Sequence, residues 1–217
     1  HPVHWEAVSN IPGRAILLSS FFSVAAFLGF CLREKKNWAG VLAFISFALA
    51  LLSKEAAIVL PLVLLAYQGL AAGQRGRRVD LRLFLPVLPF FVLEGLYLLV
   101  RRHFGISKLF FWADVPQAIL GFLTFLRSLI THLRLLAFPY DLHFDRSRRV
   151  FDHFSDPGLL ATVFFWAMLA ALLWRYRRKV SAGSWFFICW FFIEFLPVSQ
   201  LGVSIGVQPG YISAAED

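Results

Sequence analysis

Residues 15–36 read AILLSSFFSVAAFLGFCLREKK, eighteen apolar or small residues closed by a short charged block. A helix rises about 1.5 Å per residue, so the apolar part reaches about 27 Å, close to the roughly 30 Å of bilayer hydrocarbon. The stretch reads as a transmembrane helix whose basic end, Arg33, Lys35 and Lys36, stays on the cytoplasmic side. Outward from it, further apolar segments run from Trp38 to Leu52, Ala56 to Ala72, Leu81 to Val100, Gly158 to Trp174 and Ser184 to Leu201. Over all 217 residues the chain is 59% hydrophobic with a mean hydropathy of +0.69, against roughly 45–50% apolar content in soluble domains. A water-soluble core cannot take up that excess. The 25 Phe and 7 Trp suit lipid-facing and interfacial positions before any ligand site.

Two more connectors are strongly basic: Arg75, Arg77, Arg78 and Arg82, then Arg175, Arg177, Arg178 and Lys179. Short loops of this kind remain inside, and two inside loops must be separated by an even number of crossings. The stretch from Trp38 to Ala72 makes two. Leu81 to Val100 and Gly158 to Trp174 make the next pair, which leaves residues 101–157 outside. Within that outer region Ala118 to Phe138 carries Arg127, His132 and Arg134 and is too short for two crossings. It is expected to lie in the interface or pack as a non-spanning helix. The expected architecture is all-α, a polytopic bundle of six spans plus one non-spanning interfacial helix, with residues 1–217 in a single transmembrane domain.

On this map the inside holds 11 of the 21 basic residues and 2 of the 13 acidic ones, Glu34 and Asp80. The net charge of +8 therefore reflects membrane sidedness, and no nucleic-acid partner is implied. The outer face mixes both signs, which is where chemistry is sought. Cys31 and Cys189 sit in apolar runs without metal-ligand spacing and read as structural thiols.

Four outer constellations are candidates. His1-Pro2-Val3-His4-Trp5-Glu6 precedes Arg14 at the mouth of the first span. On a helix His4 and Glu6 lie about 200° apart, so no metal face forms and no metal is expected. Those groups can instead orient a hydroxyl acceptor or hold a phosphate; interfacial anchoring is the alternative. Ser53-Lys54-Glu55 follows a run of fifteen residues that spans roughly 23 Å, short of the hydrocarbon thickness, so the turn is drawn below the outer headgroups. Charges at that depth read as a substrate or lipid-phosphate site, with a snorkelling Lys54 paired to Glu55 as the alternative. Arg101-Arg102-His103 closes the fourth span, where a guanidinium can meet a phosphate or simply anchor. Pro139-Tyr140-Asp141-Leu142-His143-Phe144-Asp145 places two carboxylates in an outer loop, suited to activating a hydroxyl or stabilising a glycosyl cation. Glu94 and Glu194 lie within spans, where carboxyls relay protons or bridge helices.

At these positions the chain resembles the transmembrane protein O-mannosyltransferases that carry tetratricopeptide repeats, within the GT-C group of polyprenyl-phosphate-sugar-dependent glycosyltransferases. The likeness rests on His1-Pro2-x-His4-x-Glu6-Ala7-Val8 with Gly13-Arg14-Ala15, on Lys54-Glu55, on Pro139-x-x-Leu142-x-x-Asp145-x-Ser147, and on Phe195-Leu196-Pro197-Val198-Ser199 running on to Ala215-Glu216. Ile16, His143, Arg146 and Gln200 depart from the usual Asp, Ser, aromatic and Asn.

The resemblance implies a GT-C bundle in the bacterial inner membrane or endoplasmic reticulum, with its active face extracytoplasmic. It implies transfer of a sugar, mannose by expectation, from a polyprenyl-phosphate carrier to Ser or Thr hydroxyls of exported proteins, without a further cofactor. It also implies a fragment whose principal catalytic acid precedes His1 and whose repeats follow the last span. Glu6 and Asp145 are then supporting carboxylates at the transfer site, and Arg14, Lys54 and Arg101 bind the carrier phosphate. His4, Glu55, Asp141 and Glu216 are further candidates. A non-catalytic membrane scaffold, or a transporter or lipid flippase using Glu94 and Glu194, are the competing readings.

Overall fold

A computed structural model describes residues 13–74, 76, 84–104, 115–138, 140, 151 and 153–198, and these are all-helical with turns. Seven α-helices follow one another: α1 Gly13–Leu32, α2 Asn37–Ser53, α3 Leu60–Gln74, α4 Leu88–His103, α5 Val115–Ala137, α6 Pro157–Tyr176 and α7 Ala182–Glu194. A 3₁₀ stretch, Glu55–Val59, runs directly into α3, and shorter ones occupy Leu85–Val87 and Leu196–Val198. Local chemistry sets several starts. Asp156 caps α6 by accepting from the Gly158 amide at 2.6 Å, with Pro157 in the first turn where no amide donor is needed. Ser181 caps α7 through the Ser184 amide at 3.1 Å.

The helices fall into two compact units, one of α1–α4 with α7, the other of α5 with α6. In the first, α1 and α2 pack through small residues: Ala26, Ala39 and Ala43 are fully buried. Gly29 marks a close approach, because a Cβ there would lie 2.8 Å from the Ala39 carbonyl oxygen and 3.1 Å from the Ala43 Cβ. Small residues at such contacts let backbones approach where lipid supplies no hydrophobic drive. Phe90 of α4 sits against Phe30 of α1 and Phe44 and Phe47 of α2. Phe27 of α1 meets Tyr67 of α3 and Phe186 and Trp190 of α7, each with ring centroids between 5.0 and 5.4 Å.

In the second unit, Leu120, Leu123, Phe151 and Leu159 form the core. Thr124 donates to the Leu120 carbonyl and accepts the Phe151 amide at 3.1 Å, and the Trp166 indole donates to the Leu126 carbonyl at 3.1 Å. Arg127 lies over the Phe151 ring and Arg134 over Tyr140.

Large apolar side chains point outward in both units, among them Phe21, Leu52, Val92 and Phe164. That is the pattern of lipid contact. Among the described residues, four helical stretches are long and apolar enough to cross a membrane: Gly13–Leu32, Glu55–Gln74, Ile119–Ala137 and Pro157–Tyr176. They overlap the expected spans only in part. The second and sixth expected spans correspond to shorter apolar helices, Asn37–Ser53 and Ala182–Glu194, and the fourth to the 16-residue α4. The expected non-spanning segment forms α5, which is long enough to cross by length and composition, yet is the most amphipathic of the seven.

Candidate functional site

Chain direction brings four helix ends to one end of the α1–α4/α7 unit: the start of α1, the end of α2 with the start of the following 3₁₀ stretch, and the ends of α4 and α7. The connection at Lys54 makes this possible. Its backbone is extended (φ −158°, ψ 140°), so α2 stops at Ser53 and the chain re-enters as the 3₁₀ stretch one residue later. The Ser53 hydroxyl closes the helix by donating to the Leu49 carbonyl at 2.7 Å.

Arg101, in the last turn of α4, reaches across to this turn. One guanidinium nitrogen donates to Glu55 Oε2 at 3.3 Å and to the Tyr97 hydroxyl at 2.8 Å. The Arg101 side chain is only 16% exposed and that of Glu55 39%, so the contact is covered on the arginine side and open to solvent on the carboxylate side. Glu55 is thus paired, but with Arg101 rather than with its neighbour Lys54. Among the described residues the Lys54 ammonium has no ion-pair or hydrogen-bond partner.

Lys54 instead lines a cavity of about 340 Å³ bounded by one face of α1 (Ile16, Ser19, Ser20, Ser23, Val24), by Ala56 and Ala57, and by Trp190 and Glu194 of α7. The polar groups in it are in different states. Ser19 donates to the Ala50 carbonyl at 3.3 Å and so ties α1 to α2. Ser20 and Ser23 make no hydrogen bond among the described residues. Glu194 Oε1 accepts the Trp190 indole N–H at 2.7 Å, one turn away on α7, and Trp190 is held by Phe27 and Phe186. An ammonium, a carboxylate held at one oxygen and two hydroxyls without a hydrogen-bond partner among the described residues thus share one opening. Such a set can bind a phosphate beside hydroxyl groups.

The predicted residues divide accordingly. Lys54, Glu55 and Arg101 are gathered at this end of the unit, with Lys54 on the cavity and the other two bracing its turn. Arg14 is exposed in the first turn of α1 and does not line the cavity. His4, Glu6, Asp141, Asp145 and Glu216 lie outside the described residues. Glu194 was legible as an intramembrane carboxylate, but its place beside Lys54 was not. Ser20 and Ser23 passed unnoticed, although three hydroxyls, Ser19, Ser20 and Ser23, within five residues of a mostly apolar helix were the available signal. Trp190 had one too, four residues before Glu194.

Comparison with known proteins adds independent information. The chain is 29% identical over 213 residues, 85% of its length, to protein O-mannosyl-transferase Tmtc1 of Drosophila melanogaster. It is 32% identical over 219 residues to protein O-mannosyl-transferase F38B6.6 of Caenorhabditis elegans, and 30% identical over 241 residues to protein O-mannosyl-transferase TMTC3 of Mus musculus, in both cases across 95% of the chain. It spans 24%, 29% and 26% of the length of these three relatives. No protein-family profile and no solved structure matches it.

Proposed function

We propose, taking as premise that this membrane chain is a relative of the TMTC-type protein O-mannosyl-transferases, that it forms the carrier-binding part of a membrane glycosyltransferase. The reaction is transfer of mannose from a polyprenyl-phosphate carrier to Ser or Thr hydroxyls of exported proteins at the extracytoplasmic face. The observation that supports this most is the Lys54 ammonium, without an ion-pair partner among the described residues, at a cavity on the end of its unit opposite the basic connector Arg33–Lys36. A carrier phosphate sits at the membrane surface with its polyprenyl chain in the hydrocarbon, and an ammonium at the span ends is placed to meet it.

Lys54 and Arg14 contact the phosphate in this reading. Arg101 acts through Glu55, holding the turn that presents Lys54. Glu6 and Asp145 are supporting carboxylates at the transfer site. The architecture is a GT-C bundle of six crossings, with α5 in the outer interface; its amphipathic character and Arg127, His132 and Arg134 favour that position.

The test is carrier binding and mannose transfer by the full-length protein in nanodiscs. Lys54→Gln is expected to lower polyprenyl-phosphate affinity by about ten-fold or more, the scale of one charge-assisted contact. Unchanged affinity would remove Lys54 from the site. Asp145→Asn and Glu6→Gln are expected to lower the transfer rate by roughly 10²–10⁴-fold while leaving carrier affinity intact. Wild-type rates in both would return them to ordinary outer-surface charges.

A further inference from the structure

The cavity beside Lys54 holds more polar chemistry than a phosphate needs. Ser20 and Ser23 project from a helix that is otherwise apolar over most of its 20 residues, and both line the cavity without a hydrogen-bond partner among the described residues. Counting along α1 at about 1.5 Å per residue, Ser23 lies some 15 Å in from Gly13, well inside the hydrocarbon depth. Glu194 enters the cavity from the opposite wall, and its Trp190 bond occupies Oε1, leaving Oε2 as an acceptor. A hydroxyl at the depth of Ser23 is costly if it faces lipid tails, which favours an occupant with hydrogen-bonding groups of its own, and Glu194 meets the same cavity from the end of α7.

The cavity is open on one side and holds about 340 Å³, at the lower end of the roughly 300–1,000 Å³ of small-molecule sites and with room for a group the size of one sugar ring. Lys54 is the cation that lines the cavity among the described residues, so an anionic group is oriented toward it, with neutral hydroxyls toward the Ser20, Ser23 and Glu194 side. An anionic lipid headgroup lacking a sugar satisfies Lys54 and leaves the other three unused.

We infer that this cavity is the glycosyl subsite of the donor: Ser20, Ser23 and Glu194 hydrogen-bond the hydroxyls of a single hexosyl group while Lys54 holds the phosphate that links it to the polyprenyl chain. Trp190 is a positioning residue that fixes the Glu194 carboxylate. The inference rests on the carrier-binding reading above, and adds to it where the sugar itself is recognised.

The experiment compares two probes, polyprenyl phosphate and polyprenyl-phosphate-mannose, binding to the full-length protein in nanodiscs. The wild-type protein is expected to prefer the mannosylated carrier. Glu194→Gln, and separately the Ser20→Ala/Ser23→Ala pair, are expected to weaken the mannosylated carrier by roughly 10- to 100-fold for the carboxylate and several-fold for the hydroxyls, with the bare carrier unchanged. Lys54→Gln weakens both probes. Retained binding of the bare carrier also shows that each variant is folded. Trp190→Phe, which keeps the ring and removes the N–H, is expected to reduce the preference partway toward Glu194→Gln. A preference for the mannosylated carrier that survives in the Glu194 and double-serine variants overturns the subsite and leaves carrier binding standing. A wild-type protein that binds neither probe overturns both.

Discussion

Replacing Arg101 by Gln removes the contact that braces the Lys54 turn, and its consequence can be worked from the geometry. Arg101 and Glu55 are 3.3 Å apart, with their side chains 16% and 39% exposed. At an effective dielectric of 20 the direct attraction is about 5 kcal/mol. Desolvating the largely covered guanidinium, and solvent screening of the more exposed carboxylate, cancel most of that and leave a coupling of about 1–2 kcal/mol. The Tyr97 hydroxyl bond at 2.8 Å adds about 1 kcal/mol, so Arg101→Gln is expected to cost about 2–3 kcal/mol in all. The assay is a double-mutant cycle of Arg101→Gln and Glu55→Gln, followed by equilibrium unfolding in mild-detergent micelles. Coupling within about 0.3 kcal/mol of zero would mean that the two side chains act independently, and the bracing argument would fail. If coupling is found, carrier affinity provides a second reading: Arg101→Gln should weaken it less than Lys54→Gln, because it displaces the ammonium without removing it.

The helix contacts give a matched pair: Gly29→Ala forces a Cβ to 2.8 Å from the Ala39 carbonyl and should cost about 1–3 kcal/mol, whereas Gly69→Ala points into open space and should be neutral or slightly stabilising. Thermal unfolding of the two variants decides; equal stability would show that α1 and α2 are not in close contact. Thr124→Val leaves the Phe151 amide without its partner and should cost about 1–3 kcal/mol, measured in the same way, with no loss expected if water replaces the hydroxyl. Membrane sidedness is tested by single cysteines at Ser107 and Ser155, which should react with an impermeant thiol reagent in intact membranes. Labelling only after permeabilisation would place residues 101–157 inside and reverse the map.

Periodicity and charge were enough to locate the helices, because an apolar run bounded by Arg and Lys has few ways to meet a bilayer. Ala15 to Leu32 became Gly13–Leu32, and Gly158 to Trp174 became Pro157–Tyr176. Span assignment was less legible. Val115–Ala137 has a length that permits crossing and an amphipathicity that suits an interface, and hydropathy alone weighs both in one number. At the site, Lys54 and Glu55 are adjacent in sequence, which invited pairing them with each other. The extended backbone at Lys54 parts their side chains, and Glu55 pairs with Arg101 46 residues away.

The amino-acid sequence by itself determined that this chain is a helical membrane protein, which charges gather on its basic connectors, and the family it resembles. Each of these depends on composition, on local spacing or on motif order, all of which are properties of a linear string. Tertiary structure alone decided that Ser20, Ser23, Lys54, Trp190 and Glu194 share a cavity and that Arg101 braces rather than fills it. Those residues come from α1, the Lys54 turn and α7, separated by up to 174 positions; the α1–α2 contact, with Ser19 tied to Ala50, and the packing of Phe27 against Tyr67, Phe186 and Trp190 bring their helix ends together. Lateral packing of helices in lipid turns on close fit at particular faces, such as Gly29 on Ala39, and no one-dimensional hydropathy pattern records it.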